Sequence, residues 1–218
     1  MTAADAWRSC WAYITTACPD MQFSPIAIVG RACVLPGALS PAELWQAVAE
    51  ARDLLGPVPK GRWQLDADQA MCAADQAQAD RTWSDRGGYV EGFERVWNPN
   101  GFAIEPQALE GLDPLVAWTL HCAREARNEC RFNPQTRTGA VFGNLGFPSQ
   151  KMAAFAQSVW AGEDQLDPRN RFMSSATAEI LQQAMALDAG SHCLDAACAA
   201  RSTPSNLPAI ACKNTRPI

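Results

Sequence analysis

Apolar residues along this chain fall in short blocks divided by turn-forming residues, and the blocks alternate between two spacings. Ile26-Ala27-Ile28-Val29-Gly30 follows Pro25, is rich in β-branched residues and ends on glycine. It predicts a buried strand. Leu35-Pro36-Gly37 is turn chemistry. Ser40-Pro41-Ala42-Glu43 places serine at the N-cap, proline at the first helical position and glutamate two further on, a capping box. The helix it opens carries Leu44, Trp45, Val48 and Ala51 on one face.

Residues 53–100 are rich in Gly, Pro, Asp and Trp, show weak periodicity and predict a long irregular excursion. A second helix is expected around Leu115 to Ala126, after Asp113-Pro114, and a second strand at Thr138 to Gly143. Ser174 to Met185 reads as a further helix, and His192-Cys193-Leu194-Asp195 as a third strand. Strands alternating with helices indicate an α/β fold. Residues 1–24 read as a leader or linker, within which Trp7, Trp11 and Ile14 have the spacing of a short amphipathic helix.

Composition narrows the picture. The 218 residues are 48% hydrophobic and carry a formal charge of −5, enough for one sizeable core and with no basic patch to bind nucleic acid. The apolar runs are far too short to span a bilayer, and Asp5 and Arg8 interrupt the N-terminal stretch, so neither a membrane span nor a secretory signal is expected. A cytoplasmic location follows. Nine cysteines are scattered without C-x-x-C spacing beside only two histidines, His121 and His192, so no metal site is expected. Eight of the nine read as reduced thiols that mostly fill core space.

The ninth, Cys198, sits just past the third strand in Ala196-Ala197-Cys198-Ala199. Small neighbours permit a sharp strand-to-helix turn that lifts one side chain into a pocket. A helix beginning there would stabilise a thiolate through its unpaired N–H groups and positive dipole end, and would hold an oxyanion. On these four residues alone, a buried cysteine filling an alanine-rich turn is the favoured reading.

A wider constellation reverses that balance. PIAIVGRACVLPGALSPAELWQAV, GPVPKGRW at 56–63, GGYVEGFE at 87–94, GLDPLVAW at 111–118, TGAVFGN at 138–144, NRFMSSATAEILQQAMAL at 170–187 and LDAACA at 194–199 occur in one order. Together they resemble the N-terminal half of the β-ketoacyl synthase (ketosynthase) family of polyketide and fatty-acid synthases. LDPLVAW lacks the Gln and Arg common after Asp-Pro, and LDAACA differs from the commoner Asp-Thr-Ala-Cys-Ser-Ser. Both forms look like divergent type I synthases, such as those making polyunsaturated fatty acids.

The resemblance implies a thiolase-like α/β fold, here only the first half of a duplicated core, with domain limits of 25–200. It implies Cys198 as the acyl-accepting nucleophile, no cofactor bound by the chain itself, and acyl groups delivered on the phosphopantetheine of an acyl carrier protein. It also implies a homodimer in the intact family. The two histidines and the lysine that assist decarboxylation belong to the family's C-terminal half. His121 and His192 match no catalytic position and read as structural. Two alternatives stand beside this reading. One is another cysteine-nucleophile enzyme resembling an α/β hydrolase, although no histidine follows Cys198. The other is a non-catalytic interaction module.

The resemblance stops after Ala200. In the tail 201–218, Pro204, Pro208 and Pro217 would break the expected helix. Back-translated and read one base out of register, the tail permits CASSLYAIKLACDCLQEH, a family-like continuation. The expectation is a single-base deletion near codon 200, leaving a frameshifted tail and a fragment inactive in condensation.

Overall fold

The computed structural model describes residues 27–63, 65–131, 133, 135–143, 149–163, 166–171, 173 and 175–195, together with the backbone of 209–212. Five helices and three strands order this part of the chain: α1 (Pro41–Ala49), α2 (Ala67–Ala70), α3 (Pro114–Asn128), β1 (Thr138–Gly143), α4 (Gln150–Ala161), α5 (Ala176–Ala184), β2 (Ser191–Leu194) and β3 (Ala209–Cys212). β1 is central. It pairs in parallel with β2, in the register Val141 with His192 and Gly143 with Leu194, and antiparallel with β3. The parallel pair needs a long crossover, which α4 and α5 supply.

Spacing along α3 explains the core. Val116, Leu120 and Ala123 recur at helical intervals, all are buried, and they meet Ala178, Leu181 and Ala184 of α5. Both helices lie on the same face of the sheet, where Ala140 and Phe142 of β1 are buried. Nothing among the described residues covers the opposite face. Val141, His192 and Leu194 share it, and Leu194 is 52% exposed. Parallel pairs are ordinarily covered on both faces.

Most of the expected elements form. Leu35 and Ala38 exchange backbone hydrogen bonds of 2.8 and 3.1 Å around the turn, with Gly37 at φ +67°, a left-handed conformation that suits glycine. Ser40 caps α1 by accepting from the Glu43 N–H at 3.2 Å. The Glu43 carboxylate accepts from the N–H of Leu39 at 2.6 Å, one residue upstream of the capping-box partner. Residues 53–100 are irregular, as expected, apart from α2, a 3-10 turn at Phe93–Arg95 and isolated bridges joining Gly56 to Gly87 and Met71 to Thr82. Helix α5 spans Ala176–Ala184 inside the expected 174–185, and Ser174 lies outside the described residues.

Four expectations are corrected. Ala27–Gly30 is not a buried strand: Ile28 is 81% and Val29 62% exposed. A strand needs a ladder partner, and among the described residues 27–30 pair with neither outer edge of the sheet. Gly30 instead lies against α3, where an added Cβ would fall 1.9 Å from the Ala126 carbonyl oxygen. The apolar face of α1 is uncovered, since only Ala47 of this helix is buried. His192, read as a structural residue in or beside a buried strand, is exposed on β2. Helix α1 also stops at Ala49, and Ala51 turns to φ +51°.

Candidate functional site

Cys198 lies outside the described residues, as do its neighbours 196–200. The described residue next to that segment is Asp195, just past β2. β1 and β2 run in parallel and end level with each other, Gly143 beside Leu194. Ligands of open α/β sheets gather at the carboxyl ends of parallel strands. Four residues separate Leu194 from Cys198, and an extended chain covers at most about 3.6 Å per residue.

Three of the described thiols are held in the protonated form. Burial pushes the Cys122 thiol up to about 12, helped by neighbouring Cys33 and Glu125. Burial and then Glu43 raise Cys33, and burial and then Asp195 raise Cys193. Cys33 and Cys122 are buried, while Cys72, Cys130 and Cys193 are half-buried, and all five are free. A thiolate is the nucleophile, so the three raised thiols are poor ones. They fit the space-filling role expected from the sequence. Cys10, Cys18 and the side chain of Cys212 lie outside the described residues.

Behind the strand ends, two of the sequence blocks meet. Asp113 of GLDPLVAW is 2% exposed and caps α3 by accepting from the Leu115 N–H at 2.9 Å. Its other carboxylate oxygen accepts from the Lys151 N–H at 2.9 Å, in the first turn of α4. Asn170, which opens NRFMSSAT, accepts the Asp113 N–H at 2.8 Å and donates to the Gly111 carbonyl at 2.9 Å. One buried carboxylate thus satisfies N–H groups of two helix starts, and one amide locks it to a segment 57 residues away. Sequence reasoning found the Asp-Pro helix start but not this junction. The unpaired N–H groups of a second helix start were the only signal, and they name no partner in advance.

His121 is buried in α3 at 5% exposure, edge-on to the Phe93 ring at 5.4 Å, and its Nδ1 has no hydrogen-bond partner. Burial holds the imidazole below its ordinary value of 6.5; Glu125 opposes that shift and Arg124 adds to it. The folded state therefore prefers the neutral ring. Its contribution is complete above 6.5 and is lost as pH falls from there toward the lowered folded value. The loss is limited to one proton, about 1.4 kcal/mol per pH unit. His121→Phe is expected to flatten this part of a urea-midpoint profile measured from pH 7.5 to 5. Equal slopes in parent and variant would refute the assignment.

Among the described residues no three His, Cys, Asp or Glu side chains group to hold a metal ion, and no helix is long and apolar enough to cross a membrane.

Residues 23–203 match the family described as Beta-ketoacyl synthase, N-terminal domain. The chain belongs to that family, and its fold is the thiolase-like α/β fold of ketosynthase domains. Particular relatives place it further. It is 32% identical over 136 residues to the spectinabilin polyketide synthase system protein NorC of Streptomyces orinoci, a stretch that is 60% of this chain and 6% of that protein. It is 33% identical over 126 residues to the mycoketide-CoA synthase of Mycobacterium tuberculosis, 57% of this chain and 3% of that one. Among solved structures, the PfaC keto synthase–chain length factor superposes at a TM-score of 0.66 with 25% identity, over 79% of this chain and 21% of that one. The Streptomyces albus oxazolomycin ketosynthase domain OzmH KS7 superposes at 0.63 with 21% identity, over 79% and 29%. The chain thus spans a small part of the relatives it matches.

Proposed function

We propose that this chain is the acyl-accepting half of a β-ketoacyl synthase acting in polyketide or fatty-acid biosynthesis, with Cys198 as the nucleophile. The observation that carries the reading is the family match running through 198, on a sheet whose parallel strands end together just before it. The Cys198 thiolate attacks the thioester carbonyl of an acyl group held on the phosphopantetheine of an acyl carrier protein. The new carbon–sulfur bond forms as the donor carbon–sulfur bond breaks, and the pantetheine thiol leaves with a proton. A malonyl-type extender on a carrier protein then loses carbon dioxide. Its carbanion attacks the acyl-cysteine carbonyl, a carbon–carbon bond forms, and the thiolate is released.

We read the chain as a fragment that is inactive in condensation. Val141 and Leu194 are exposed on a parallel sheet, and nothing among the described residues covers that face. The tail 201–218 fits an out-of-frame reading, and β3 within it occupies the remaining edge of β1. We place the ketosynthase region at residues 25–200, the leader before it and the frameshifted tail after it. In the intact family arrangement the partners are an acyl carrier protein and a second synthase subunit, in the cytoplasm.

Purified chain is expected to give no β-ketoacyl product from acyl- and malonyl-loaded carrier protein. Turnover would overturn the fragment reading. Sequencing the gene across codons 198–204 tests the frameshift separately, and an intact frame with no ketosynthase continuation would sink it.

A further inference from the structure

We propose that the groove between α1 and α3 is a docking site for this chain's own residues 1–24, with Trp7, Trp11 and Ile14 seated on its apolar wall. The groove encloses about 990 Å³. Leu44, Trp45 and Val48 of α1 form one side, with His121 and Glu125 of α3 on the other. Trp45 is 73% and Val48 63% exposed, although they lie on the apolar face of an amphipathic helix. A nine-residue helix draws little stability from its own backbone and depends on packing of that face.

Three observations select the occupant. The first is chain continuity. Residues 27–30 lead directly from the N-terminal segment to Arg31 on the groove rim, and exposed Ile28 and Val29 extend the apolar surface along that path. A tethered segment binds at an effective concentration in the millimolar range, so a modest contact suffices.

The second is the unpartnered Nδ1 of buried His121, which lines the groove. A buried polar atom left without a partner costs about 1–3 kcal/mol. An indole supplies what is missing, an N–H that only donates on a large apolar body. The segment carries two, four residues apart, on one predicted helix face with Ile14. The third is charge. Glu125, ion-paired with Arg124 at 3.5 Å, stands in the groove wall with an exposed carboxylate that can take a second cation, and Arg8 lies between the two tryptophans in sequence. Glu129 is already engaged, accepting the Arg31 N–H at 2.7 Å. This docking does not depend on the acyl-transfer reading.

Hydrogen exchange followed by mass spectrometry on the full chain tests it. Amides of α1 are expected to exchange at least about tenfold faster in the Trp7→Ser, Trp11→Ser double variant than in the parent, with α5 unchanged. Reciprocally, Trp45→Ser alters an exposed side chain and leaves the core intact. It is expected to speed exchange in residues 5–16 by a similar factor. Diethyl pyrocarbonate should also modify His121 faster in the double variant, with His192 as the internal standard. If the double variant loses protection in α5 as well, Trp45→Ser decides. Matching exchange in parent and variants overturns the proposal. So does α1 protection that rises with protein concentration, which would mean a second copy in the groove. Protection that appears only after the reading frame is restored would assign the groove to the other half of the domain, and overturns it equally.

Discussion

A gene with one base restored near codon 200 is expected to yield a chain that condenses acyl- and malonyl-loaded carrier proteins, where the present chain forms no product. Within that restored chain, Cys198→Ala is expected to lower the condensation rate by about 10⁴-fold or more. Removal of a covalent nucleophile leaves only binding and oxyanion stabilisation, and losses of this order follow in other nucleophilic enzymes. The substitution removes one sulfur from an alanine-rich turn, so folding should survive it. Cys122→Ala serves as the control on chemistry. That thiol is pushed up to about 12 by burial and is no nucleophile near neutral pH. A restored chain in which Cys198→Ala retains the parent rate would remove Cys198 from the mechanism.

Asp113→Ala is expected to lower stability by about 2–4 kcal/mol. Loss of an N-cap costs about 1 kcal/mol, and a buried N–H left without its acceptor costs a further 1–3. Both apply, because the carboxylate serves Leu115 at the start of α3 and Lys151 at the start of α4. Asp113→Asn keeps one carbonyl oxygen, and its loss should fall near half. Urea midpoints at low protein concentration measure both. A change below about 0.5 kcal/mol for the alanine variant, the level of an ordinary surface substitution, would show that neither helix start depends on Asp113.

Local signals made much of the fold legible. Asp113-Pro114 states a helix start in two residues, and Thr138–Gly143 forms the strand that its composition predicts. The start of α1 was equally plain, since Ser40, Pro41 and Glu43 act within four residues of one another. Failures came where the partner decides the outcome. Ile28 and Val29 have strand composition, yet a strand exists only with a neighbour, and these residues join no ladder of the described sheet. Trp45 and Val48 have core composition at helical spacing, and nothing among the described residues covers them. The junction of Asp113 with Asn170 joins residues 57 apart, a distance at which no spacing rule operates. Cys198 was legible only through the ordered set of motifs, because alanines on both sides fit a core cysteine as well as a nucleophile.

The surroundings of the other thiols turn the central claim into a question of selectivity. Cys33, Cys122 and Cys193 are raised, above all by burial, and a reactive cysteine must be the opposite. The direct measurement is mass-spectrometric mapping of all nine cysteines after brief treatment with a cerulenin-like epoxide near neutral pH. The account predicts modification at Cys198 well ahead of the other eight. Equal labelling of many cysteines, or a faster reaction at any of the others, would contradict it.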